Sequence, residues 1–408
     1  MTGRLAGLIF LFAVIVAGFL FVMIVQPEVP PDQIAFETRT YSSLEGWKED
    51  DPSGALTAFQ KSCDRLLVLP DTANLGDGAI SGTIQDWAGN MGDWRDACEA
   101  ALEISASDAD TARRYFQTWF KPVAIMNHRD QLGLFTGYYE PVLRGSLTKS
   151  DQFNVPVYPR PAGHISVELG NFKESLDGQR VVGRVEGNRL IPTESRPEID
   201  RGALAGGPTP LLWLDSAVDA FFMHIQGSAR IDLDNGETVR VGYAGTNGHV
   251  YVAIGRVLVE RGAIPEDEVS AQSIKAWLAA HPDEADEVMQ ENASYIFFQI
   301  RDVGPVGAQG VVLTAGRSLA VDKRWIPLGV PVWIDTTAMP DRADTPQRIK
   351  RLMVAQDVGG AIKGVVRGDI YWGSGDEAGE IAGRMKEFGR YHVFLPRALL
   401  IRQSEKKK

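Results

Sequence analysis

The sequence predicts a mainly β protein with added helices, and three features carry that reading. From Tyr295 onward the chain runs as short apolar segments, YIFFQI, GVVLTA, VPVWID, RLMVAQ, VVRGDIYW and YHVFL, separated by turns, which is the pattern of a small barrel or sandwich. A second set of alternating runs follows Tyr139, punctuated by PRPAGH, DGQR and EGNR. Helical periodicity is confined to the stretch before the first of these sets and to a middle segment around residues 214–290. With 408 residues, 44% of them hydrophobic and 23% charged, the chain is long enough for two domains with cores of their own. A net charge of −11 disfavours a phosphate-binding surface of clustered Lys and Arg, so no nucleic-acid partner is expected.

In chain order, Leu5 to Val25 is a run of 21 uncharged, mostly apolar residues. At about 1.5 Å per residue such a run can cross a hydrocarbon core of about 30 Å. Arg4 precedes it and Glu28 and Asp32 follow, which places the body outside the cytoplasm. Residues 1–27 therefore read as a membrane anchor, with a cleaved signal segment as the alternative, and no Cys lies near to accept a lipid. Residues 28–46, opening on the prolines of QPEVPPD, read as an extended tether. SGALTAFQKSCDRLLVL, MGDWRDACEAALEI and DADTARRYFQTWFKPVAIM show helical spacing with Asp or Ser at caps, and their aromatic residues read as core. Cys63 and Cys98 are the only cysteines; the readings are a disulfide, worth about 3–4 kcal/mol for such a loop, or two buried thiols. LDSAVDAFFMHIQG reads as a capped helix and DLDNGETVRVGY as a hairpin turning on positive φ angles at Asn235 and Gly236. GHVYVAIGRVLVERGAI reads as a helix ended by Gly262, followed by two polar helices divided at His281 and Pro282.

Three aspartates carry the chemistry: Asp322 in AVDKRWIPLG, Asp357 in AQDVGGAIKG and Asp369 in RGDIYWG. They lie in apolar, strand-like segments, where a carboxylate is costly to bury unless it is hydrogen-bonded or chemically used. The glycines between Asp357 and Asp369 let backbone approach a ligand closely. Asp369, between Gly368 and Ile370-Tyr371-Trp372, has the surroundings that raise a carboxyl pKa into the range of a general acid. Lys363 and Arg367 sit between the two acids, and a nearby cation opposes that role unless it points toward carboxylates of the substrate. The six His residues are scattered without CxxC or HxxxH spacing, so neither a metal nor another cofactor is expected.

These segments resemble, in order, the three-aspartate 3D domain, in which the first Asp precedes an IPLG turn, the second opens DxGGAIKG and the third follows within a dozen or so residues. Together with LFTGYYEP, HIQGSARI, GYAGTNGHVYVAIGR and NASYIFFQIRDVGPVGAQGVVLTAGRSLAVD, they make the chain similar, over roughly Gly133 to Phe394, to the membrane-bound lytic transglycosylase A family. The resemblance implies a double-psi β-barrel drawn from residues 47–140 and 300–408, with the 3D motif at 322–372. It also implies a second β-rich domain inserted at 141–299, with a substrate groove between the two.

The activity implied is cleavage of the β-1,4 bond between N-acetylmuramic acid and N-acetylglucosamine in peptidoglycan, leaving 1,6-anhydromuramic ends. Asp369 would be the single general acid/base and Asp357 an accessory that orients it, holds substrate or raises its pKa. Asp322 reads as structural. Thr136, Gly137, Tyr138, Gln226, Gly227 and Ser228 would line the groove with compact donors and acceptors, and Lys363 and Trp372 would add a cation and a sugar platform. The expected partners are peptidoglycan strands and, through Leu5 to Val25, the inner membrane, with the body on its periplasmic side. Two rivals stay open: a β-1,4-glycan hydrolase using Asp369 with Asp357 across the scissile bond, and a non-catalytic wall-binding module.

Overall fold

The structure, a computed structural model, describes residues 31–75, 87–106, 108–176, 179–338 and 346–405. The apolar run Leu5 to Val25, Pro27 and Pro30 lie outside the described residues, as does Asp177-Gly178 of the DGQR turn. Among the described residues no helix is long and apolar enough to cross a membrane. The body, from Ile34 onward, opens with β1 (Ile34–Thr38), paired antiparallel with β2 (Phe120–Asn127). Between them lie the helices Ser53–Leu66, Met91–Leu102 and Ala109–Trp119.

β3 (Gly133–Glu140) then leads into β4 (Val142–Ser146), β5 (Val155–Val157), β6 (His164–Glu168), β7 (Arg180–Glu186), β8 (Arg189–Ile191), β9 (Leu212–Leu214), β10 (Ser228–Leu233), β11 (Thr238–Thr246) and β12 (Ile296–Arg301). β13 (Ser318–Val321), β14 (Pro331–Ala338), β15 (Gln347–Asp357), β16 (Arg367–Ser374) and β17 (Lys386–Pro396) complete the set. β17, β14, β15, β13, β16 and β3 are hydrogen-bonded in that order, and β3 pairs back onto β17. That closes a six-stranded ring drawn from both sides of the insert, a double-psi barrel, with β2 and β1 appended. The contacts of β13 with β15 and of β16 with β3 are parallel. The intervening strands form a six-stranded sheet, β12-β11-β10-β4-β9-β5, and a three-stranded one, β6-β7-β8.

Alternation sets which residues face the core. Phe59, Trp94, Phe116, Phe120, Phe135, Trp333 and Phe394 are buried between the first helices and the barrel wall, so the aromatic residues of the early helices are core. A disulfide joins Cys63 to Cys98, tying the first of these helices to the second. The insert has separate apolar clusters around Leu212, Met223, Ile231 and Phe298 and around Phe221, Leu258 and Val288. It meets the barrel where the Gln226 amide oxygen accepts the Tyr139 N–H at 3.0 Å and Gln272 donates to the Gly379 carbonyl at 3.2 Å.

Several elements differ from the sequence reading. The tether ends early: β1 and Leu44 belong to the body, because apolar side chains of this stretch pack on the barrel. FKPVAIM is strand, not helix. Pro122 pushes Lys121 out of the helical region and cannot donate a helical bond, so the helix stops at Trp119 and the chain extends into β2. GVVLTA forms no strand; its backbone bonds to the loop just before it, with Leu313 N–H on Pro305 O at 2.9 Å and Gly307 N–H on Val311 O at 3.0 Å. SLAV, hidden between glycine and the acid, is the strand instead. The hairpin turns over three residues, Asp234 to Gly236, with positive φ at Gly236 alone. The helix expected from Gly248 begins only at Ile254, though Gly262 ends it as read. The sheet of the insert also runs two residues beyond Gln299, since Ile300 and Arg301 pair with Val241 and Arg240.

Candidate active site

Four neighbouring strands set one row of side chains. Ala320 on β13 is paired with Asp357 of β15 on one side and with Asp369 of β16 on the other, and Asp369 is paired in turn with Thr136 of β3. Two residues on, Tyr371 is paired with Tyr138, their ring centroids 5.4 Å apart. The two-residue period therefore puts Asp369, Tyr371, Thr136 and Tyr138 on one face. Ile370 and Phe135 fall on the other, in the core.

Asp369 is part-exposed. Its Oδ1 accepts the Thr136 hydroxyl at 2.5 Å. Burial pushes the carboxyl pKa up to about 6, against the opposing pull of the Arg367 guanidinium and the Thr136 hydrogen bond, with Asp357 adding a smaller push upward. Asp357 is more heavily tied. Its Oδ1 accepts the N–H groups of Ala308 and Val358, both at 2.9 Å, and its Oδ2 accepts the Tyr138 hydroxyl at 2.8 Å. Desolvation still raises its pKa over those three hydrogen bonds. Tyr138, lodged beside both carboxylates, is driven far above the usual phenol range, first by burial and then by Asp357.

The third aspartate stands apart. Asp322 is buried, accepts the Gly364 N–H at 2.9 Å and is chelated by the Arg324 guanidinium. Burial alone would raise its pKa, but Arg324 and the Gly364 amide hold it below the usual carboxylate range. It pins the glycine-rich loop at Gly364, next to Lys363, whose side chain is exposed. Arg367 faces neither solvent nor the open side of the site. It is buried and donates to the Leu134 and Gly368 carbonyls and to the Thr136 hydroxyl at 2.9 Å.

Gly137 and Trp372 share the reverse face of the β3–β16 pair. A Cβ at Gly137 would lie 2.7 Å from the Trp372 ring, so the glycine makes room for the indole to pack there, beneath the Arg351 guanidinium at 5.7 Å. Trp372 is thus not a platform beside Asp369. Gln226 reaches Tyr139, the neighbour of Tyr138, from the end of the helix Ala217–Gln226. Gly227 closes that helix at φ +79° and Ser228 opens β10.

Sequence reasoning passed over Glu140 at the end of β3, which is 1% exposed, accepts the Ser374 hydroxyl at 2.6 Å and faces Arg240 of the insert at 3.6 Å. Its signal was present: a carboxylate between Tyr139 and Pro141 in an otherwise uncharged strand. Among the described residues no group of His, Cys, Asp and Glu could hold a metal ion. The arrangement offers one carboxyl that titrates near pH 6 with an oxygen to spare, beside a second carboxyl fixed by three donors.

Residues 134–299 match the model of the MltA specific insert domain and residues 317–395 that of the 3D domain. The chain is 36% identical over 263 residues to membrane-bound lytic murein transglycosylase A of Escherichia coli K12, a match spanning 64% of this chain and 64% of that protein. It is 34% identical over 262 residues to the Vibrio cholerae protein of the same name, covering 63% and 64%. Among solved structures, a membrane-bound lytic murein transglycosylase from Agrobacterium tumefaciens superposes with a TM-score of 0.78 at 34% identity, over 90% of this chain and 99% of that one. E. coli MltA with bound chitohexaose superposes at 0.60 and 32% identity, over 75% and 84%. With both matched segments falling on the insert and on the strands that carry the acids, and a relative covered almost end to end, the chain belongs to the membrane-bound lytic murein transglycosylase A family.

Proposed function

We propose that this protein cleaves the β-1,4 bond between N-acetylmuramic acid and N-acetylglucosamine in peptidoglycan without water, with Asp369 as its single acid and base. One observation carries the reading: Asp369 keeps Oδ2 without a hydrogen-bond partner among the described residues, in surroundings whose burial pushes its carboxyl pKa up to about 6, whereas both oxygens of Asp357 are engaged. Protonated Asp369 delivers its proton to the glycosidic oxygen as the bond from the muramic C1 to that oxygen breaks. The 6-hydroxyl of the same sugar attacks C1, and its proton passes to the Asp369 carboxylate, restoring the acid. One C–O bond breaks, one forms, and the attacking hydroxyl has the advantage of an intramolecular nucleophile. A hydrolase would need a second carboxylate free to activate water, and Asp357 is held by three donors instead. The names of the relatives and the chitohexaose bound by one of them support a glycan substrate.

Tyr138 and the exposed Lys363 are the groups best placed to hold the glycan and the carboxylates attached to it. The length of Leu5 to Val25 and the membrane-bound relatives support a body tethered at the outer face of the inner membrane. Mature protein beginning near Gln26 and released from membranes would instead make that run a signal segment.

Digestion of purified murein sacculi in heavy-oxygen water tests the reaction. The expected muropeptides carry 1,6-anhydro ends, resist borohydride and contain no heavy oxygen. Reducible ends bearing the label would make the protein a hydrolase, with Asp357 recruited as base.

A further inference from the structure

We propose that Thr136 and Arg367 are positioning residues that hold the acidic proton of Asp369 on Oδ2. A guanidinium has N–H donors and no acceptor, so the Thr136 oxygen must accept from Arg367 Nη2 at 2.9 Å. Its one proton goes to Asp369 Oδ1, 2.5 Å away, and among the described residues the hydroxyl has no other acceptor to turn to. Oδ1 therefore stays the acceptor when the acid is neutral, because a proton placed there would leave the Thr136 proton without a partner, and the proton of the neutral acid belongs on Oδ2. Arg367 cannot swing onto the carboxylate, because Nη1 is held by the Leu134 and Gly368 carbonyls at 3.1 and 2.5 Å.

The hydroxyl thus keeps a buried cation one atom away from the acid. That answers the difficulty which the cation raised in the sequence: a direct ion pair would hold Asp369 ionised, whereas the interposed hydroxyl lets burial prevail and still fixes the orientation. A single oxygen, Oδ2, then gives up the proton and takes it back. The charged and titratable groups facing Asp369 are Arg367 on its own strand, Asp357 on β15 and Tyr138 on β3; neither Asp357 nor Tyr138 bonds the Asp369 carboxyl.

The inference rests on Asp369 as the acid, and the test uses the full chain with murein as substrate. Thr136→Val preserves shape and removes the hydroxyl. It should lower kcat by about tenfold to a hundredfold, the scale of a misplaced catalytic group, with KM little changed. It should also move the alkaline limb of the pH profile upward, because the carboxylate loses a donor that favours its charged form. Thr136→Ser keeps the hydroxyl and should restore both kcat and the limb. If Thr136→Val does not fold, Thr136→Ala at this part-exposed site carries the same expectation. A parent-like kcat and limb in the hydroxyl-free variant would overturn the proposal, as would Thr136→Ser failing as badly as Thr136→Val, which would assign the residue to packing. Asp369→Asn separates the two levels: if it keeps turnover, the acid is misassigned, and if it is inactive while Thr136→Val is normal, only the relay is wrong.

Discussion

Asp369→Asn is expected to lose nearly all release of anhydromuropeptides while retaining the fold and the ability to bind glycan. General acid–base assistance is worth about 10² to 10⁴ in rate, and a site that routes both proton steps through one carboxyl belongs at the upper end. The amide keeps the acceptor that Thr136 needs on one side but has no acidic proton for the leaving oxygen. Asp357→Asn should be milder, since its loss loosens Tyr138 and the Ala308 and Val358 amides without removing the acid. Single-turnover assays on murein decide the matter. Turnover of Asp369→Asn within tenfold of the parent, at unchanged stability, would move the role to Asp357.

The same substitution should stabilise the protein above pH 6. The folded pKa of Asp369 is raised from 3.8 to about 6, so folding favours its neutral form. That contribution is fully present below the unfolded value and is lost as pH rises through the folded one. At pH 7 to 8 the ionised, desolvated carboxylate then costs roughly 1–3 kcal/mol, after allowance for its partial exposure. Asparagine has no charge to desolvate. Melting curves of parent and variant should therefore separate at pH 8, with the variant melting higher, and converge at pH 4. A variant that melts lower at pH 8 would show that the charged form is stabilised rather than penalised in this site. Activity should follow the opposite course, falling above pH 6 as the proton that leaves with the glycosidic oxygen is lost to solvent.

Much of this site was legible in the sequence because its strands advertise themselves. VPVWID, RLMVAQ, VVRGDIYW and YHVFL are apolar runs bounded by glycine or proline, and each became a strand of the barrel. An acid inside such a run is conspicuous, and Asp357 and Asp369 were found for that reason. Pairing was not legible. That Ala320 separates the two acids, and that Thr136 rather than Trp372 neighbours Asp369, depends on register between strands distant in sequence, which local pattern does not encode. SLAV is too short to signal a strand, and GVVLTA has the right composition but bonds to the loop at Pro305 and Gly307 instead of to a sheet. Arg367 shows the limit most clearly. A cation next to an acid reads as an exposed charge or a substrate ligand, and only the carbonyls of Leu134 and Gly368 reveal that it is buried.

The ring drawn from both sides of the insert has a kinetic corollary. Thr136 and Asp369 lie 233 residues apart, so β3, made early, has no partner until the last strands of the barrel have been synthesised. Long-range pairings of this kind form slowly, because the entropy of closing the loop is lost before any contact rewards it. The contiguous strands β4 to β12 can assemble first, and their assembly draws the cut ends of the barrel together, shortening the segment that still has to be closed by diffusion. A chain lacking β17 would leave β3 with an open edge, a surface on which another unfinished chain could pair.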